Sequence, residues 1–224
     1  VTADHAATPI KVRDWLGDKL DNLLTSLKLE SMVLHAATNI EVNANWKLLT
    51  DGFLELYHFK YLHRNTVASY LVANMTRPLR FGSHLGNAIP KEGLLKDLAD
   101  KPREDWRVYD SAVIPVVLLP GTVINWDAGH VEVFSSRPNP KHPGQTLVRL
   151  WLAIPAEHAD QTDLWDRTWT SVVEVINEDF TAAEHVQRNI ETGVAHELLI
   201  GANEELLLEH MALVDQLVAT HEGE

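Results

Sequence analysis

The sequence predicts an α+β fold, a curved antiparallel sheet wrapped around a long C-terminal helix, on three observations. Four strand-like segments at 108–119, 121–127, 130–136 and 145–154 follow one another with only the turns Pro120-Gly121, Ala128-Gly129 and 138–144 between them. Strands joined this tightly pair antiparallel, because a parallel pair needs a long crossover. A helical pattern then runs over 163–192 and stops near Gly193, and further helical patterns lie at both ends of the chain. Helices at the ends and a sheet between them place the long helix against one face of the sheet.

Taken in order, residues 14–27 predict a short helix with Asp14 as N-cap and Leu16, Leu20, Leu23, Leu24 and Leu27 on one face. Residues 31–42 alternate as a strand does. Asn45-Trp46-Lys47 opens a helix that carries His58 and His63, with Trp46, Leu49, Phe53 and Tyr57 as its apolar stripe. Residues 66–105, with Gly, Pro and charge clusters, read mainly as loop with a short helix at 92–100; long loops in compact domains tend to be functional. A last helix starts at Asn203, an N-cap followed by Glu204 and Glu205, and turns Leu207, Met211, Val214 and Val218 inward. Without an internal repeat, low-complexity tract or Gly/Ser linker, residues 1–224 read as one domain.

Composition narrows the function classes. Of 224 residues, 45% are hydrophobic and 23% charged, an ordinary globular balance. A formal charge of −13 argues against a nucleic-acid partner and against an anionic membrane surface. No apolar run approaches the roughly 20 residues of a membrane span, and no charged-then-apolar leader opens the chain. The chain has no cysteine, hence no disulfide framework, and a cytoplasmic location is the default expectation. Its opening on Val1 rather than Met is expected of a processed or excised piece. No nucleophile elbow and no Gly-rich phosphate loop is present.

The chemistry-bearing residues are His58, His63 and a distant carboxylate, Asp179. Two imidazoles and one carboxylate are the minimum for a three-point metal site with open positions, the arrangement of non-haem Fe(II) oxygenases. Helix geometry tests the pair: at about 100° per residue the two histidines project roughly 140° apart on an ideal helix. Joint ligation needs a bulge or a helix ending just before His63; otherwise Glu55 and His58 form a polar helix face. Asp179 lies within the stripe Trp165, Trp169, Val172, Ile176, Ala183 and Ile190, whereas Glu174, Glu178 and Glu184 lie off its centre. A carboxylate aimed into a core costs several kcal/mol unless paired or metal-bound, and pairing with Lys, Arg or a Trp indole is the alternative. Gln187, on the same stripe, is a candidate outer donor. His5, His142, His158 and His210 read as exposed, while His84, His130, His185 and His196 could line a pocket. Trp15, Trp46, Trp165 and Trp169 read as core.

The run Asn45-Trp46-Lys47-x7-Leu54-Glu55-x-Tyr57-His58-x4-His63 resembles the signature of the catalytic domain of Rieske-type non-haem iron oxygenases, the ring-hydroxylating α-subunit family. The resemblance continues in order through Leu119-Pro120-Gly121-Thr122-Val123-Ile124, residues 138–154, Glu178-Asp179 with Gln187, and Gly201-Ala202-Asn203-Glu204. It implies the helix-grip fold, with Fe(II) held by His58, His63 and Asp179. It implies that Glu55, an Asp in many members, bridges a ligand histidine to the Rieske cluster of a neighbouring subunit, and that Asp51 matches a position near the iron often held by Asn. The implied substrates are O₂ and a small aromatic or other organic molecule, to be hydroxylated, dihydroxylated or demethylated. Electrons would come from NAD(P)H through a reductase or ferredoxin and a Rieske domain, and a head-to-tail homotrimer is the implied assembly.

One departure bears on activity. Without cysteine the [2Fe–2S] Rieske cluster cannot be held in this chain. Residues 1–30 resemble the helical lead-in that follows the Rieske domain, so the chain is expected to begin near that boundary. The Rieske half is then either removed or carried by another polypeptide, unless the chain is a metal-free relative. As it stands, the chain is expected to be inactive with NAD(P)H until a Rieske partner is supplied. The rival reading is a metal-free helix-grip carrier of hydrophobic ligands; a metal-dependent hydrolase is the lesser rival.

Overall fold

Seven strands, several with alternating apolar and polar residues and most joined by short turns, form one sheet. The computed structural model describes residues 11–222 except 73, 100, 107–110, 128, 195 and 196, so the starts of the 108–119 and Ala128-Gly129 expectations, with His5 and His196, lie outside the described residues. The strands are β1 (Met32–Val42), β2 (Arg77–Phe81), β3 (His84–Pro90), β4 (Ala112–Leu118), β5 (Thr122–Asp127), β6 (His130–Asn139) and β7 (His142–Pro155). Their order across the sheet is β1-β7-β6-β5-β4-β3-β2, and every neighbouring pair is antiparallel. The helices are α1 (Val12–Ser26), α2 (Trp46–Leu54), the single turn α3 (Phe59–Leu62), α4 (Leu94–Ala99), α5 (Thr162–Glu191) and α6 (Glu205–Glu222). The α+β class therefore holds, with a curved antiparallel sheet set against a long helix. Among the described residues, no helix is long and apolar enough to cross a membrane.

The 30-residue α5 turns Val172, Ile176 and Phe180 onto one face of the sheet, where Val117, Val123, Phe134 and Leu150 meet them together with Leu49 and Leu54 of α2. On the opposite face, Leu16 and Leu20 of α1 cover Ala112, Ile114, Val116 and Leu118. Because both its faces are covered, β4 is buried at every position, which is why Ala112–Leu118 is a continuous apolar run.

Several expectations need correction. Residues 66–105 are not mainly loop: they contain the β2–β3 hairpin as well as α4. The β2 edge carries Arg77, Pro78 and Arg80, and β3 buries His84, Gly86 and Asn87, so neither strand shows the usual apolar alternation. Gly86 is needed there, since a Cβ would lie 2.6 Å from the Pro115 carbonyl oxygen. The first helix starts at Val12 after Lys11, not at Asp14, and Gly17 leaves helical geometry within it at φ 73°. Trp15 is 42% exposed rather than core, and Tyr57 is 67% exposed rather than part of the α2 stripe. The last helix begins at Glu205, two residues after Asn203, and its inward residues are Leu206, His210 and Val214. Leu207 is only partly buried, Met211 and Val218 are half exposed, and so is Ile190 of α5 to a lesser degree, while His185 is exposed. His210, expected at the surface, is almost wholly buried.

His84 fastens α1 to the sheet. Its Nε2–H donates to the Trp15 carbonyl at 2.9 Å, its Nδ1 accepts from the Leu119 N–H at 3.3 Å, and the Trp15 ring meets it edge-on with centroids 4.5 Å apart. Burial pushes the His84 pKa below its usual 6.5. The folded chain thus favours the neutral ring, and the unfolded chain binds more protons below pH 6.5. Stability from this group is complete above pH 6.5 and is lost as the pH falls below it. Urea denaturation of the chain and of His84→Gln across roughly pH 5 to 8 should show the difference between them shrinking toward acid pH. A gap of constant size would contradict this.

Candidate metal centre

Asn45 starts α2 by accepting the Lys47 N–H at 2.9 Å, and the helix ends at Leu54. The histidines therefore do not share a continuous helix, contrary to the simplest reading of their spacing. His58 precedes and His63 follows the one-turn α3, which removes the 140° divergence expected on an ideal helix. Glu55 lies in the break, with φ −93° and ψ 121°. Its carboxylate accepts the backbone N–H groups of Tyr57 and His58, which begin the new turn, and also the His58 Nδ1–H at 2.7 Å.

Across the interior, α5 brings Asp179 between the rings. Its Oδ1 lies 2.9 Å from His63 Nε2 and 3.4 Å from His58 Nε2. Two atoms each about 2.1 Å from one metal and about 90° apart are about 3 Å from each other, so these separations suit a common ion. At 3.4 Å the His58 contact is too long for a good hydrogen bond, and His58 Nε2 is a buried nitrogen with no hydrogen-bond partner. His63 donates its Nδ1–H to Glu178 Oε2 at 2.7 Å, and the Thr66 hydroxyl donates to the same oxygen at 2.9 Å. Each imidazole thus has Nδ1 fixed by its own glutamate and Nε2 turned toward Asp179, the tautomer that a metal-binding histidine needs. Neither Lys nor Arg pairs with Asp179 among the described contacts; the two imidazoles do.

The electrostatics match. Burial alone would lower the His58 pKa, but the carboxylates of Asp179 and Glu55 outweigh it and raise it from 6.5 to about 9. For His63, Asp179 and then Glu178 likewise overcome burial and raise it. Asp179 falls below its usual value in spite of burial, because both imidazoles favour its charged form. Protons fill this anionic cluster when a divalent cation does not, and the cation displaces them.

The remaining expected residues lie apart from the three. Asp51 turns to α6, where His210 Nδ1–H donates to it at 2.8 Å. Gln187 is no outer donor to the cluster: it accepts from the Asn45 N–H at 3.0 Å and donates to Glu191 at 2.9 Å, joining α5 to the start of α2. Sequence reasoning missed Glu178, which sits beside Asp179 and was placed off the helix stripe; its signal was adjacency to a candidate ligand.

Two cavities flank the cluster. One, of about 460 Å³, is lined by Asp51, Glu55 and His58 with apolar residues of α5 and α6. The other, of about 390 Å³, runs from His63 and Asp179 past Phe53 and Phe134 to a polar wall on β5 and β6. That wall contains a second acid–histidine group, Asp127, His130 and Glu132. His130, one of the possible pocket histidines, does line this cavity. The two carboxylates beside it were missed, although Asn-x-Asp and His-x-Glu around a glycine turn place all four side chains on one sheet face.

The family profile "Ring hydroxylating alpha subunit (catalytic domain)" matches residues 29–220. The chain belongs to this family. Among solved structures, ring-hydroxylating α-subunit catalytic domains share its fold. A quaternary ammonium Rieske monooxygenase is 19% identical with a TM-score of 0.71, over 96% of this chain and 57% of that one. Naphthalene 1,2-dioxygenase from Rhodococcus sp. is 15% identical with a TM-score of 0.61, over 82% and 50%. Dicamba monooxygenase is 12% identical with a TM-score of 0.55, over 86% and 60%. The chain spans about half the length of these solved structures. No curated protein matches its sequence.

Proposed function

We propose that this catalytic domain binds Fe(II) through His58, His63 and Asp179 and oxygenates a small organic substrate. One observation carries the reading: both Nε2 atoms converge on Asp179 Oδ1, while each Nδ1 is held by a separate glutamate. The donor set of two imidazoles and one carboxylate suits a non-haem iron with open positions. When bound, the iron supplies the O₂ activation that no side chain can perform. The chain's own part is to orient the ring nitrogens through Glu55 and Glu178 and to keep water from the substrate with Phe53, Phe134 and Val172.

Electrons come from a Rieske domain or ferredoxin and reductase outside this cysteine-free sequence, and Glu55 lies on their path to His58. The assembly is a homotrimer in which neighbouring subunits meet near Glu55, and the location is cytoplasmic. Hydroxylation, dihydroxylation and demethylation all remain within this chemistry; the similar structures act on substrates as different as naphthalene and quaternary ammonium compounds.

Anaerobic titration with Fe(II) tests the reading. One equivalent per chain should bind, with both rings perturbed together in histidine NMR spectra. Absence of saturable uptake, or binding that perturbs only one ring, would overturn it.

A further inference from the structure

Antiparallel register places Asn125 opposite Glu132 and Asp127 opposite His130, all four facing the cavity that begins at His63 and Asp179. Their hydrogen bonds leave acceptors, not donors, in excess. Glu132, buried to 8% exposure, receives Asn125 Nδ2–H at 2.9 Å and His130 Nε2–H at 3.2 Å, and among the described residues it forms no ion pair with Lys or Arg. Asn125 Oδ1 is buried without a hydrogen-bond partner. Lys91, from outside the cavity lining, pairs with Asp127, and Arg167 of α5, which does line the cavity, is exposed.

Tyr70 lines the same cavity. Its hydroxyl is pushed well above its ordinary pKa by burial and then by the negative charges of Asp127 and Glu132. Among the described residues, neither Lys nor Arg pairs with this buried carboxylate, and the acceptor beside it is unfilled, an arrangement that a donor arriving from outside would stabilise.

We infer that this wall is the recognition end of the substrate cavity, where Glu132 and Asn125 Oδ1 take the cationic nitrogen of an organic ammonium substrate. The inference rests on the oxygenase reading for the word substrate, but the subsite stands on its own geometry. Phe53, Leu56, Val113, Phe134 and Val172 would hold the apolar body between that nitrogen and the proposed iron ligands. A carboxylate-bearing molecule of the same shape would meet Glu132 as a like charge and be rejected.

Calorimetry on the metal-free chain with benzylamine, benzyl alcohol and benzoate measures this directly. Benzylamine should bind at least about tenfold more tightly than either of the others, a difference of about 1.4 kcal/mol. Glu132→Gln should remove most of that preference while leaving Fe(II) uptake at one equivalent. Failure of benzylamine to bind, equal or tighter binding of benzoate, or an undiminished preference in a folded Glu132→Gln variant would overturn the inference. If the variant does not fold, the three-ligand series on the unaltered chain decides. Loss of the Fe(II) result with ammonium selectivity intact would refute the oxygenase reading and leave the subsite standing.

Discussion

Asp179→Ala and His63→Ala are expected to reduce iron content from one equivalent to none, whereas Glu178→Gln should retain the metal with roughly 10–100-fold weaker affinity. The distinction follows from position. Asp179 offers the oxygen on which both rings converge, while Glu178 touches only the far nitrogen of His63 and the Thr66 hydroxyl. Losing a ligand leaves two donors, too few to outweigh the hydration of a divalent cation; losing an outer carboxylate only loosens one ring. Without metal, Asp179→Ala should also lower stability by about 1–3 kcal/mol, because the Nε2 of buried His63 loses its partner while Glu178 still holds Nδ1. Metal analysis after anaerobic loading, with urea denaturation of the metal-free variants, checks both. Equal iron content in Asp179→Ala and the unaltered chain would remove Asp179 from the ligand set.

Glu55→Gln should split two reactions. In an assembly supplied with a Rieske domain, NAD(P)H-driven turnover should fall sharply, because the proposed electron path enters through the carboxylate that holds His58 Nδ1. Peroxide-driven oxidation by the iron-loaded chain should fall far less, since the single glutamine oxygen can still accept the His58 Nδ1–H and the three ligands are untouched, although the cap on the Tyr57 and His58 N–H groups is weakened. Parallel loss of both reactions would make Glu55 a holder of the iron site alone. Undiminished rates in both would exclude it from the mechanism.

The fold class, the β4–β7 block and the span of α5 were legible because each repeats its own period over many residues. The β2–β3 hairpin was not, since an edge strand with two arginines and an inner strand with His84, Gly86 and Asn87 carry no apolar alternation. The phase of α6 was misread by one residue because buried His210 holds an inward position that hydropathy assigns to solvent, its polarity met by Asp51. At the candidate centre the sequence showed which residues to compare but not how they meet. Spacing alone sets His58 and His63 apart; the break at Glu55 that reunites them depends on a carboxylate capping the next turn, a contact that periodicity does not describe.

The two halves of that centre differ in how they are enclosed. His63 has 1% of its side chain exposed and is held through Glu178, a residue of the longest helix, which Thr66 also grips. His58 is 19% exposed and answers to Glu55, in the unwound joint between α2 and α3. The cluster is therefore closed on the His63 side and nearer to solvent on the His58 side. The way in from solvent thus passes the joint between α2 and α3, where one carboxylate both caps the new turn and holds the more exposed ring.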